Sequence, residues 1–265
     1  MEIFAYLASA LIGISLGLIG GGGSILTVPV MVYLFGVNPL LATSYSLFIV
    51  GSTSLVGAYQ NFRNGLVRVK IALLFGTSSI TTVFLTRKFV IPAIPKHLFN
   101  VGSFEVTENI FTMVLFAMLM LAASIAMIRD KVPLPEAHIE RTSGTLPRLL
   151  AYGIGIGIAT GMLGAGGGFL LIPTLVILVG LPMKEAVGTS LLIIALNSLI
   201  GFVGDLGHFA INWGFLLTVT AIAIAGIFIG GQLNKRMPSA KLKKGFGWFV
   251  LVMGLYIILR ELFIR

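Results

Sequence analysis

Apolar runs follow one another along the chain with only short polar breaks. They fall at residues 3–19, 24–36, 40–60, 68–91, 108–128, 147–163, 168–180, 186–204, 211–233 and 246–263. A helix needs about 20 residues to cross the hydrocarbon of a bilayer. Six of the ten runs reach that length or nearly so. The second and seventh have 13 residues and extend only about 20 Å at 1.5 Å per residue, too little to cross comfortably. The first and sixth, at 17 residues, sit at the lower limit. The pattern predicts an all-α polytopic membrane protein with two interrupted places.

Those two places resemble each other. Residues 17–36 read GLIGGGGSILTVPVMVYLFG and residues 161–180 read GMLGAGGGFLLIPTLVILVG. Gly17, Gly20, Gly22, Gly23, Pro29 and Gly36 fall on Gly161, Gly164, Gly166, Gly167, Pro173 and Gly180 at a constant offset of 144. After a two-residue insertion the correspondence resumes, and Thr43-Ser44 falls on Thr189-Ser190. This is internal duplication, a frequent feature of transporters. Each half is a glycine-tipped pair of short helices followed by three transmembrane helices. The first repeat is 1–128 and the second 148–265. Between them, 129–147 is a charged, proline-containing linker.

Composition supports the membrane reading. The chain of 265 residues is 57% hydrophobic and 10% charged, with a mean hydropathy of +1.05. Soluble domains carry about 25% charged residues. The net charge of +9 lies in clusters between apolar runs, so it encodes topology rather than affinity for nucleic acid. An odd number of crossings per half puts 13 of the 18 basic residues on one side. An even number largely removes the contrast. Basic residues collect on the cytoplasmic side. The repeats are therefore expected to be inverted, with the linker cytoplasmic and both termini outside. Met1-Glu2-Ile3 lacks the basic start of a cleavable signal, so the first run is expected to stay.

Charge cannot decide whether each glycine cluster is a turn at a surface or the tip of a re-entrant hairpin, since both keep the same parity. The short arms favour the hairpin. Irregular backbone inside a membrane is tolerated where it is buried in protein or lines a wet cavity. Helices beginning near Ser24 and Gly168 would point their free N–H groups and positive dipole ends at such a tip. That combination attracts anions. The candidate substrate-binding residues are Gly20, Gly21, Gly22, Gly23, Ser24, Gly164, Gly166, Gly167 and Gly168. Thr43, Ser44, Thr189 and Ser190 begin the next helix of each half and would add hydroxyl donors. Close helix packing through small residues is the competing reading.

The helix interiors read as almost free of acids and bases. Asn197 lies within the eighth run, where it would act as interhelical glue or touch substrate. Asp205 is a candidate for coupling transport to protons, although its neighbours Gly207 and His208 suggest an exposed loop. Arg87 is counted with the surface charges. Trp213 and Trp248 suit interfacial anchoring. Cysteine is absent, and His97 and His138 have no ligand-like spacing, so neither a metal nor a cofactor is expected. No nucleophile–base pair or phosphate-binding loop is visible, which argues against an enzyme.

The two glycine motifs, the Thr-Ser pairs and the duplicated order resemble the sulfite exporter TauE/SafE family across nearly the whole chain. The resemblance implies a cytoplasmic-membrane carrier for sulfite or an organosulfonate. It points to the glycine motifs and Thr-Ser pairs as the positions to test. Ala165 stands where the first motif has Gly21, and Gly168 where it has Ser24, so the two tips need not contribute equally. The expected activity is export of a small sulfur-containing anion by alternating access at a midplane site. An anion channel of the same architecture, or a carrier of an unrelated anion, remains the alternative. The expected partners are the bilayer and a small anion, as a monomer or a homodimer.

Overall fold

A computed structural model describes residues 2–95, 97–101, 104–129, 145–234 and 239–263. Most of the linker, with His138, lies outside the described residues. The first half comprises α1 (Glu2–Ile19), a tight turn of helix at Gly22–Leu26, α2 (Thr27–Tyr33), α3 (Pro39–Arg63), α4 (Val69–Ala93) and α5 (Glu108–Arg129). The second comprises α6 (Thr145–Leu163), α7 (Gly168–Val179), α8 (Met183–Asp205), α9 (Trp213–Asn234) and α10 (Ser239–Phe263). Between α4 and α5 stands a feature the apolar pattern did not anticipate, an antiparallel ribbon of β1 (His97–Val101) and β2 (Phe104–Thr107).

Local chemistry explains the main breaks. Asn38 caps α3 by accepting the Leu40 N–H at 3.0 Å, and Pro39 occupies the first turn, where its missing N–H costs nothing. Gly180 ends α7 in the left-handed conformation, which L-residues adopt only with strain. Among the described residues, five helices are long and apolar enough to cross a membrane: α3, α4, α5, α8 and α9. At 12 residues α7 is not.

The halves interleave. Helix α1 packs on α9, α6 on α4, α3 on α8 and α5 on α10. Each first-half helix in this set finds its partner in the second half. The α1–α9 contact is parallel: Gly13 meets Ala223 and Gly17 meets Ile227. So is the α6–α4 contact, where Gly153 meets Ser78 and Gly161 meets Thr86. Helices α3 and α8 instead run antiparallel, with Asn61 at Gly188, Gly51 at Leu199 and Leu47 at Gly201. These two form the centre, with 72% and 67% of their apolar stretches buried, against 33% for α4 and 39% for α9.

Helix pairs in lipid gain little from hydrophobicity and depend on close contact between small residues. The α1–α9 seam follows this rule: a Cβ on Gly226 would lie 3.1 Å from Gly13 Cα, and one on Gly230 would lie 3.0 Å from Gly17 Cα. Gly17, the first glycine of the first motif, is therefore a packing residue. Gly226→Val should force the two helices apart and cost about 1–3 kcal/mol, the usual range for overpacking. A lowered midpoint of thermal unfolding in detergent would register it.

Candidate functional site

The glycine tips meet. Gly21 and Gly168 touch through their backbones, and a Cβ on Gly21 would lie 3.0 Å from Gly168 Cα. Ser24 Oγ donates to Gly21 O at 2.8 Å and closes the first tip on itself. Gly22 opens the tight helical turn that leads into α2. Gly23 packs on Ser15 and Leu16 of α1, and Gly167 packs on Thr160 of α6. Gly20 lies against Val187 at the start of α8, and Gly166 against Val50, Ile194 and Ser198.

Gly164 sits directly on Thr43 of α3, and its carbonyl accepts the Ser46 Oγ hydrogen at 2.7 Å. The second tip is thus fastened to the first turns of α3. Thr43 is fully buried and donates to Leu40 O at 2.7 Å. Its counterpart Thr189 is buried too, and its hydroxyl accepts the Arg68 backbone N–H at 3.0 Å. Ser190 donates to Val187 O at 2.9 Å.

Two of the sequence expectations are corrected here. Asp205 is the last residue of α8 and only 1% exposed, not part of an open loop. Arg87 is not a surface charge: it is wholly buried, and its Nη1 donates to Asp205 Oδ2 at 3.1 Å and to Thr43 Oγ1 at 3.0 Å. The interior therefore holds an acid–base pair linking α3, α4 and α8. Ser44 lies beside the Asp205 carboxylate without a well-aligned hydrogen bond. Arg87 is carried on a widened turn of α4, Thr86–Val90, in which the Ile91 N–H reaches back to Thr86 O. Such turns are common at functional sites.

Among the described residues, this pair ends a row of polar links that joins α4 and its capping residue Arg68 to α8. At the opposite end Arg68 grips Glu185 with two bonds, Nε to Oε2 at 2.7 Å and Nη2 to Oε1 at 2.8 Å. That hydrogen bond and the Glu185 charge raise the Arg68 guanidinium above its ordinary range. Midway, Asn197 Nδ2 donates to Ser79 Oγ at 2.7 Å, so Asn197 joins the two helices. The constant spacing makes α4 and α8 parallel neighbours in register.

A sequence signal for Arg87 existed. Ala72, Gly76, Ser79 and Val83 form one buried face of α4, and Arg87 continues it at helical spacing. Likewise Asp205 follows Asn197 and Gly201 on one face of α8. No group of His, Asp and Glu suited to a metal occurs among the described residues.

Long apolar helices that bury polar groups where short helices break are the design of a membrane transporter. The chain belongs to the sulfite exporter TauE/SafE family, whose profile matches residues 5–257. Among its relatives, a probable membrane transporter protein of Xylella fastidiosa is 28% identical over 258 residues, covering 96% of this chain and 94% of its own. The probable membrane transporter protein YdhB of Bacillus subtilis is 28% identical over 251 residues, covering 94% and 96%. One from Haemophilus influenzae is 24% identical over 97% of this chain and 98% of its own. No solved structure matches the chain significantly.

Proposed function

We propose that this transporter is a secondary carrier that exports a small sulfur oxoanion, sulfite or an organosulfonate, across the cytoplasmic membrane. The observation that carries the reading is the meeting of the two glycine tips, Gly21 on Gly168, beside buried hydroxyls of the following helices. Glycine backbone and helix starts offer N–H donors to an anion without a side chain between. The family's printed description names sulfite export. An inside-negative potential favours the exit of an anion, so efflux needs no partner that hydrolyses ATP.

The repeats are read as inverted. In support, the corresponding helices α3 and α8 cross antiparallel, and so do α5 and α10, where Gly247 meets Met127 and Gly254 meets Leu121. Halves related in this way rock against each other around a site near the membrane midplane. The linker then lies on the cytoplasmic side. The carrier reading is preferred to a channel because the tips close on each other rather than framing an open path.

The test is counterflow of labelled sulfite in proteoliposomes preloaded with sulfite or with sulfate. Internal sulfite should accelerate uptake, and uptake should saturate. Thr43→Val with Thr189→Val should lower the rate at least about tenfold, as the loss of a hydrogen bond to a charged group implies. Uptake that never saturates would make the protein a channel. Absence of exchange in folded protein would remove sulfite as the substrate.

A further inference from the structure

The guanidinium of Arg87 has two edges, and only one is occupied. Nη1 is held by Thr43 Oγ1 and Asp205 Oδ2. Nε and Nη2, the two donors of the other edge, are buried and meet no acceptor among the described residues. These are the same two atoms with which Arg68 clamps both oxygens of Glu185. A side-on fork of this kind fits a planar pair of oxygens, and buried donors of a cation are rarely left without an acceptor. Asp205 also keeps Oδ1 unpartnered, so the local network is incomplete on both sides.

We propose that the Nε–Nη2 edge of Arg87 is the anion fork of this carrier, binding a small oxoanion through two of its oxygens, with Asp205 as the competing internal counter-charge. This rests on the reading of the chain as an oxoanion carrier and names the cation of its site. The site stands next to the second glycine tip, because the Thr43 that holds Arg87 is the residue on which Gly164 packs. It has no charged twin in the other half. Helix α9 carries no charged residue from Trp213 to Asn234. The repeat counterpart of Asp205 is Tyr59, which is 61% exposed. The Thr189 hydroxyl is already engaged by a backbone N–H. Binding is therefore one-sided in a duplicated architecture.

The arrangement makes opposite predictions for its two charges. An anion added at the fork brings a second negative charge beside Asp205. Asp205→Asn should remove that competition, whereas loss of the guanidinium should remove the site. The experiment is thermal unfolding of the purified full-length protein in detergent, titrated with sulfite, methanesulfonate or acetate at constant ionic strength made up with chloride. Wild type should show saturable stabilisation by at least one of these. In Asp205→Asn the half-saturating concentration should fall at least about tenfold, while Arg87→Lys with Asp205→Asn, which keeps the charge without the fork, should bind at least about tenfold more weakly than Asp205→Asn alone. Arg87→Gln with Asp205→Asn, a neutral pair that leaves no buried charge, should show no saturable stabilisation.

The inference is overturned if that neutral pair is stabilised by the same anion at the same concentration as wild type. It is equally overturned if no oxoanion stabilises wild type or Asp205→Asn. The ranking of the three anions separates sulfite, sulfonate and carboxylate as the preferred class. A neutral pair that still binds and still exchanges sulfite would leave the carrier reading standing without this fork. Binding that depends on Arg87 without counterflow would do the reverse.

Discussion

Arg87→Met alone should destabilise the protein by about 3–5 kcal/mol, the usual consequence of leaving a buried charge without its partner. The residue stranded is Asp205, 1% exposed at the end of α8 and held through its Oδ2 by Arg87. Thr43 would lose the donor to its hydroxyl oxygen in the same step. Removing both charges is a different experiment. Arg87→Met with Asp205→Asn should recover most of the loss, because removing both charges leaves neither buried without its partner. The coupling between the two sites, read from unfolding of wild type, both single variants and the double variant, should therefore be large. Near-additive effects would mean that the pair contributes little to the fold.

The second large effect belongs to the glycine at the heart of the second motif. Gly164→Val should cost about 3–5 kcal/mol and bring counterflow below detection. Two causes add. The backbone there has φ +67°, a conformation that side chains with a Cβ resist. A Cβ would also lie 2.7 Å from Thr43 Cα, and neither backbone can yield without moving α3. Gly36 separates the causes, because it has the same φ of +67° with nothing within 4 Å of an added Cβ. Gly36→Val should therefore lose only the conformational part, about 1–2 kcal/mol, and should retain exchange.

The apolar pattern was a sound guide to the helices and to their interruptions. Both short runs proved to be short helices, and the run at 168–180 became α7, Gly168–Val179, almost residue for residue. Period and glycine spacing are local properties, so a single chain displays them. The ribbon at 97–107 was missed because it is brief and lies between two strong helical runs, with His97 and Glu105 paired across it. The partners of individual glycines were not legible either. Gly20 and Gly164 occupy equivalent motif positions, yet one lies against Val187 and the other holds Thr43. The chief miss was Arg87. A basic residue near the end of an apolar run reads as a surface charge, and only its contact with Asp205, 118 positions away, shows why it points inward. Pairings at such separation are set by tertiary structure, where local pattern is silent.

The interleaving of the halves bears on how the chain is made. Helix α1 has its seam partner in α9, and α3 has its partner in α8. At about 5–20 residues per second, the ribosome finishes α9 many seconds after α1 has emerged. During that time Gly13 and Gly17 face no partner, and the polar stretch of α3 around Thr43 and Ser44 lacks its cover. The first half must therefore wait in the membrane as loosely associated helices, and its final packing forms only when the second half arrives. Closure of the fold is consequently late and stepwise, as α6, α8, α9 and α10 arrive in turn to meet α4, α3, α1 and α5.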